Sequence, residues 1–195
     1  MDMSVTGSQD PRPQLDAALD QVHTLIEVIG PEDEQRPTPC PEFDVRTLVA
    51  HLVAVMRKLT VVREGGEFAS VPDPAEDLGA GGKAAFERAR QELKAVWEDS
   101  AALDAEHTLP YGTMTGRELL DAYAHQFTVH AWDLSRALDA GLALDPSLSE
   151  AALDWYRRNV PASDCGTGGP FGAAVDVADE ADVHTRLAAF VGRRP

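Results

Sequence analysis

The stretch HQFTVHAWDLSRAL, residues 125–138, decides the fold of this chain because it combines a helical apolar pattern with polar groups on the inward face. At about 100° per residue, Gln126 and His130 share one face of the predicted helix with Phe127. The Cβ atoms of Gln126 and His130 should lie about 5–6 Å apart, close enough for both side chains to bind one ion. His125 lies about 140° from His130 on the same wheel and should point elsewhere.

The upstream stretch TPCPEFDVRTLVAHL, residues 38–52, places His51 at the edge of the apolar stripe of another predicted helix. Burying an imidazole there without a partner would cost roughly 1–3 kcal/mol, so we expect a metal ion, a water or a carboxylate to satisfy it. Two imidazoles and an amide or carboxylate oxygen, drawn from two helices, can hold a divalent metal in a bundle core. In the alternative interpretation, His51 and His130 are hydrogen-bonded core histidines and Gln126 has no special role.

Asp133 follows His130 by about one turn and lies about 60° from it around the helix. It could accept a hydrogen bond from a metal-binding imidazole and so orient the ring, as carboxylates behind metal ligands do. The residues leave a second interpretation open, in which Asp133 is structural and pairs with Arg136 on the helix surface.

Apolar periodicity predicts an all-α fold, a four-helix bundle with one or two accessory C-terminal helices. The long helices are predicted over residues 14–29, 44–63, 83–101 and 115–138, and the short ones over 147–159 and 181–191. Asp44 should be the N-cap of the second helix, and Thr115 with Glu118 forms a capping box that opens the fourth. The segment HTLPYGTMT predicts a turn or a short extended piece, and no alternating strand pattern is present.

The predicted domain organisation is simple. We expect residues 1–13 to form a flexible tail, and residues 14–195 to form a single domain with an extended C-terminal part from about residue 161. The formal charge of −16 argues against a nucleic-acid or anionic membrane surface, since both need basic patches. No secretory leader or membrane span is apparent, so we expect a cytoplasmic protein in which Cys40 and Cys165 are free thiols.

Several segments, taken in order, resemble the mycothiol-dependent maleylpyruvate isomerase family of the DinB/YfiT-like metal-binding bundles. TPCPEFDVRTLVAHLV resembles the opening loop and second helix of that family, and LPYGTMTGRELLDAYAHQFTVHAWDLSRAL resembles the segment that carries the remaining ligands. PFGAAVDV followed by RLAAFVGRRP resembles the C-terminal signature of its shorter members.

The resemblance implies a DinB-like bundle in which His51 and His130 bind a divalent metal. Zinc, nickel and iron all suit imidazole ligands. Gln126 stands where the family has an acidic third ligand, and Asp133 would orient a ligand imidazole. The implied function is a mycothiol-dependent transferase or isomerase, in which a metal-activated thiolate attacks a small electrophilic substrate; a homodimer is compatible with it. The alternative is a non-catalytic bundle that has lost or weakened its metal site and acts as a binding module.

Overall fold

The structure, a computed structural model, describes residues 10–139, 141–160, 172–178 and 180–195. Six α-helices and one β-hairpin make up most of the regular structure of these residues. The helices are α1 (Arg12–Glu27), α2 (Val45–Arg63), α3 (Gly82–Val96), α4 (Gly116–Leu138), α5 (Pro146–Asn159) and α6 (Val183–Phe190). The hairpin strands are β1 (Glu106–Leu109) and β2 (Gly112–Thr115), and short 3₁₀ helices span Phe68–Ser70 and Ser100–Leu103.

The two helices that were predicted to carry the site begin where their capping signals predicted. The Asp44 side chain accepts a hydrogen bond from the Thr47 N–H at 2.8 Å and so caps α2. Thr115 and Glu118 form the reciprocal capping box at the start of α4. Each cap satisfies backbone donors that the first turn leaves unpaired, which fixes the residue at which the helix starts.

The predicted all-α bundle is confirmed. The first four helices share one hydrophobic core, in which α1 packs along α4 and α2 packs along α3. Its largest fully buried side chains include Trp97, Phe86, Phe127, Leu19, Leu25, Leu48, Leu52 and Met56. A second, smaller cluster joins α5 and α6 to the outer face of α4 through Val129, Leu153, Tyr156 and Leu187. The accessory helices therefore extend the bundle from the helix that carries His130.

The structure differs from the sequence prediction in two places, at the end of α3 and in the segment that follows it. The third helix ends at Val96 and not near residue 101, because Asp99 caps a separate 3₁₀ turn through the Ala101 N–H. The segment predicted as a turn or extended piece is an antiparallel hairpin that pairs His107 with Met114. Its strands have four residues each, which is too short for a period of two to stand out in the sequence.

The helix ends elsewhere lie within two residues of the predicted ones. The first helix begins at Arg12, two residues earlier than predicted, and the last begins at Val183, two residues later. Residues 1–9 of the predicted tail, and residues 161–171 of the predicted C-terminal extension, lie outside the described residues. No helix among the described residues is long and apolar enough to cross a membrane.

Gly116 provides a test of how closely α4 packs against the turn before it. A Cβ atom on this residue would lie 2.4 Å from the Ala102 carbonyl oxygen and 2.5 Å from the Trp97 ring. We therefore expect Gly116→Ala to lower the free energy of unfolding by about 1–3 kcal/mol, as overpacking does, although alanine normally favours a helix. Urea denaturation followed by circular dichroism measures the difference.

Gly82→Ala is the matched control, because Gly82 is also the first residue of its helix. There the new Cβ atom would meet only the Val49 side chain closely, at 3.0 Å, and that side chain can shift. We expect the free energy of unfolding to change by less than about 0.5 kcal/mol. Equal losses in the two variants would contradict the tight contact assigned to Gly116.

Candidate metal centre

Helices α2 and α4 bring the three side chains proposed from the sequence into contact. The ring centroids of His51 and His130 lie 5.1 Å apart, and the rings are inclined at 75°. The side-chain nitrogen of Gln126 lies 3.4 Å from Nε2 of His51. Both histidines and Gln126 line the same cleft. One ion at the usual metal–nitrogen distance of about 2 Å could therefore contact both rings.

His130 belongs to a buried chain of polar groups that runs through Asp133 to the C-terminal segment. His130 Nδ1 lies 3.0 Å from Asp133 Oδ2. Arg193 donates to the same carboxylate twice, from Nε to Oδ1 at 3.2 Å and from a terminal nitrogen to Oδ2 at 3.0 Å. The Asp133 side chain has no exposed surface, so these hydrogen bonds replace the ones that it would make to water.

The shape of the C-terminal segment explains how Arg193 reaches α4. Gly192 has a φ of +84°, in the left-handed region that glycine adopts without strain. A Cβ atom there would lie 2.4 Å from the Gly172 backbone, so the position also demands a residue without a side chain. The next backbone N–H, that of Arg193, donates to the Ala188 carbonyl at 2.9 Å. The chain thus turns after α6 and directs Arg193 towards Asp133.

His51 has a similar set of partners from a different part of the chain. His51 Nδ1 lies 2.7 Å from Oδ1 of Asp73, which belongs to the loop between α2 and α3. Lys58, two turns after His51 on α2, donates to the other oxygen of Asp73 at 2.8 Å. The Phe43 ring stacks on the imidazole of His51, with centroids 5.0 Å apart at 29°. The ring orientation is therefore fixed by a carboxylate at one edge and an aromatic ring on one face.

The protonation states follow from these contacts. Burial would raise the pKa of the Asp133 carboxyl, but His130 and Arg193 outweigh it and hold this pKa below its ordinary value. Burial likewise opposes ionisation of Asp73, and hydrogen bonds from His51 and Lys58 lower its pKa. An ionised carboxylate only accepts hydrogen bonds, so Nδ1 of each imidazole carries the proton. In the neutral ring Nε2 then has a free lone pair, which is the form that binds metals.

The cleft around the two histidines has a volume of about 630 Å³. Its lining includes five aromatic side chains from four parts of the chain: Phe43, Tyr111, Tyr123, Trp155 and Tyr156. Among the described residues, no group of three or more His, Cys, Asp and Glu side chains is arranged to hold a metal ion. Gln126, a neutral amide, is the third side chain of the predicted ligand set, and its nitrogen lies 3.4 Å from His51 Nε2.

A known protein family matches the part of the chain that contains the cleft histidines. The family model for the mycothiol maleylpyruvate isomerase N-terminal domain matches residues 15–135, more than half of the chain. The chain belongs to this family. The match includes His51, Asp73 and the α4 residues of the site, and it ends before Arg193. The carboxylate on α4 thus lies inside the family domain, whereas its cationic partner comes from the C-terminal segment.

Two curated relatives are similar in sequence to this chain over nearly its whole length. They are uncharacterized proteins MT0763 and Rv0738 from Mycobacterium tuberculosis, of strains CDC 1551 / Oshkosh and H37Rv. Each is 27% identical to this chain over 184 residues, which cover 94% of this chain and 98% of the relative. The similarity therefore extends beyond residue 135, where the family match ends.

Other residues considered from the sequence have different surroundings. The proposed surface pair of Asp133 with Arg136 is wrong, because Asp133 is buried against His130 and Arg193 while Arg136 lies over the Trp132 ring. His125 points away from the cleft histidines, with Nδ1 at 3.3 Å from Nε2 of Gln14. The helical wheel thus predicted correctly that His125 and His130 point in different directions. The alternative pairing of Asp133 with Arg136 was wrong.

The two cysteines differ in how far the structure describes them. Cys40 lines the cleft, forms no disulfide with a described residue, and has a thiol pKa that burial raises. Cys165 lies outside the described residues. The free state of both thiols stays a prediction.

Asp73, Lys58 and Arg193 are the site residues that sequence reasoning missed. Asp73 lies in an irregular loop, so no periodicity relates it to His51. Lys58 shares a helix with His51, but seven residues of spacing are common to many surface lysines. Arg193 falls within RLAAFVGRRP, a segment whose resemblance to the family implies no particular role for the arginine.

Arg193→Met should show that the C-terminal segment supports the site. The change leaves the buried Asp133 carboxylate without two of its hydrogen bonds. We expect the free energy of unfolding to fall by about 2–4 kcal/mol, as when one partner of a buried ion pair is removed. Arg194→Met, at the exposed neighbouring position, is the control and should change it by less than about 0.5 kcal/mol. Similar values for both variants, from urea denaturation, would refute this role of Arg193.

Proposed function

We propose that this protein binds one divalent metal ion through His51 and His130 and uses it to activate a small thiol. The observation that carries the proposal is that a carboxylate accepts the Nδ1 proton of each ring, Asp73 for His51 and Asp133 for His130. This arrangement leaves both Nε2 lone pairs available and is typical of metal-binding histidines. Two core histidines without a common role would not be expected to have the same tautomer and to line the same cleft.

The donor set fits zinc, nickel or iron, since imidazole binds all three well. Gln126 would supply its amide oxygen as a third ligand. Its nitrogen now lies nearest to His51, and a half-turn of the amide plane exchanges the nitrogen and the oxygen. An amide brings no charge, so we expect weaker binding than with a carboxylate at the same position. Waters or a substrate thiol would complete the coordination, as in sites with open positions.

A divalent ion held by these ligands would lower the pKa of a thiol that binds to it, which makes the thiolate available at neutral pH. The chain itself would position the reactants. Asp73 and Asp133 hold the imidazoles, while the aromatic side chains around the cleft exclude water from the reacting groups. The family to which the chain belongs supports mycothiol as the thiol, and the reaction class that follows is transfer or isomerisation of a small electrophile.

One observation favours a second candidate function, a binding module without a metal. The Gln126 side-chain nitrogen can donate a hydrogen bond to Nε2 of His51 at 3.4 Å. That bond satisfies the lone pair that an ion would otherwise take. The cleft would then bind a small molecule without activating a thiol.

Metal titration distinguishes the two functions. With tag-free, chelator-treated protein, isothermal titration calorimetry with Zn²⁺ should detect one ion per chain. Gln126→Glu should bind Zn²⁺ about ten- to a hundredfold more tightly, because it adds a negative charge beside the cation in a partly shielded site. His130→Ala should abolish binding, whereas His23→Ala, which changes a partly exposed histidine of α1, should leave the affinity unchanged.

The thiol step needs a second measurement on the same samples. Titrating mycothiol into Zn²⁺-loaded protein in two buffers of different ionisation enthalpy should reveal the release of one proton per thiol bound. Metal-free protein should release none. Equal Zn²⁺ affinities for the parent, Gln126→Glu and His130→Ala proteins would refute the metal site and favour the binding module.

A further inference from the structure

The three side chains proposed to hold the ion carry no charge in the forms that bind metals. His51 and His130 would bind through Nε2 of neutral rings whose Nδ1 protons go to carboxylates. Gln126 would bind through the oxygen of a neutral amide. A divalent ion on these ligands therefore keeps its full double positive charge, unless other groups around the cleft offset it.

The carboxylates behind the two imidazoles do not offset that charge, because each one already has a cationic partner. Asp73 lies 2.8 Å from Nζ of Lys58, and Asp133 lies 3.0 Å from a terminal nitrogen of Arg193. Each pair combines one negative and one positive charge, so its net charge is zero. The two pairs together therefore leave the charge of a bound ion unbalanced.

The other described side chains of the cleft supply little negative charge. Burial raises the pKa of the Cys40 thiol, so this thiol is neutral at pH 7. The tyrosine hydroxyls of the cleft also have pKa values that burial raises: Tyr111, Tyr123 and Tyr156. Glu42 is the acidic residue among the described residues that line the cleft, and it is exposed. Water and salt screen an exposed carboxylate, so Glu42 offsets little of the charge.

The cleft has room for more than one ligand from solution beside the ion. Its volume is about 630 Å³, whereas one water takes about 30 Å³ in the liquid. Zinc binds four or five ligands in sites that keep open positions, so three protein ligands leave up to two positions free. Small anions that enter these positions would balance the charge that the protein leaves.

We propose that Gln126 makes the open positions of the ion selective for anions, and that the ion accepts two of them from solution. One is the thiolate of the proposed function, and the second is a carboxylate or a similar anionic group of the electrophile. Two anions balance the double charge that three neutral ligands leave. This inference rests on the proposed function, for which it names the residue that sets the charge of the bound ligands.

Azide and imidazole are matched probes, since both bind metals through nitrogen but only azide is charged. The full-length protein is saturated with Co²⁺, whose visible absorption changes when a ligand enters an open position. In Gln126→Glu the ratio of azide affinity to imidazole affinity should fall at least about tenfold, because the new carboxylate cancels one positive charge. The neutral control Gln126→Met alters no charge and should leave this ratio nearly unchanged.

A second titration tests whether two anions bind at once. Addition of 2-mercaptoethanol to the Co²⁺-loaded protein, without oxygen, should produce the near-ultraviolet absorption of a thiolate bound to cobalt. Azide added next should bind to the parent protein while this absorption remains. In Gln126→Glu the thiolate and the new carboxylate already balance the ion, so azide should bind at least about tenfold more weakly.

Equal azide-to-imidazole ratios in the parent and Gln126→Glu would overturn the proposal and leave the metal site standing. A fall of the same size in Gln126→Met would also overturn it, because charge would then not be the cause. Loss of the thiolate absorption when azide binds to the parent would overturn the binding of two anions. Absence of both Co²⁺ and Zn²⁺ binding would instead refute the proposed function itself.

Discussion

Two ionised carboxylates, Asp73 and Asp133, impose the constraint on which the site depends. A carboxylate without exposed surface must be fully hydrogen-bonded, and Asp133 achieves this with His130 on its own helix and Arg193 from the C-terminal segment. The requirement explains why the chain turns at Gly192 after α6 and returns to α4. The C-terminal segment is thus part of the site's support, although it lies outside the part of the chain that the family model matches.

Asp73 and Asp133 each bind one histidine and one cationic side chain, and this has two consequences. Each imidazole donates its Nδ1 proton to a carboxylate, so that in the neutral ring the lone pair lies on Nε2, as a metal ligand requires. Each nearby cation, Lys58 or Arg193, is at the same time withdrawn from any ligand in the cleft. The polar contacts that orient the histidines therefore also pair the neighbouring cations, and much of the remaining cleft lining is aromatic.

The sequence predicted the elements with strong local signals and missed the contacts that have none. Asp44, Thr115 and Glu118 act within one helical turn, so the starts of α2 and α4 could be predicted closely. Helical periodicity also separated His125 from His130. The partners Asp73 and Arg193 lie 22 and 60 residues from the groups they contact, and no pattern within one element encodes such a separation. The hairpin was missed because its strands are too short to show a period.

The central claim is that carboxylates hold both cleft histidines in the Nδ1–H tautomer with Nε2 free. Long-range ¹H–¹⁵N correlation spectra of ¹⁵N-labelled, metal-free protein near neutral pH test it directly, with His51→Gln and His130→Gln variants to assign the signals. The account predicts a protonated Nδ1 and an unprotonated Nε2 for both rings, with the largest shifts at the two Nε2 signals when Zn²⁺ is added. An Nε2–H tautomer in either ring, or Zn²⁺ shifts at the other histidines alone, would contradict it.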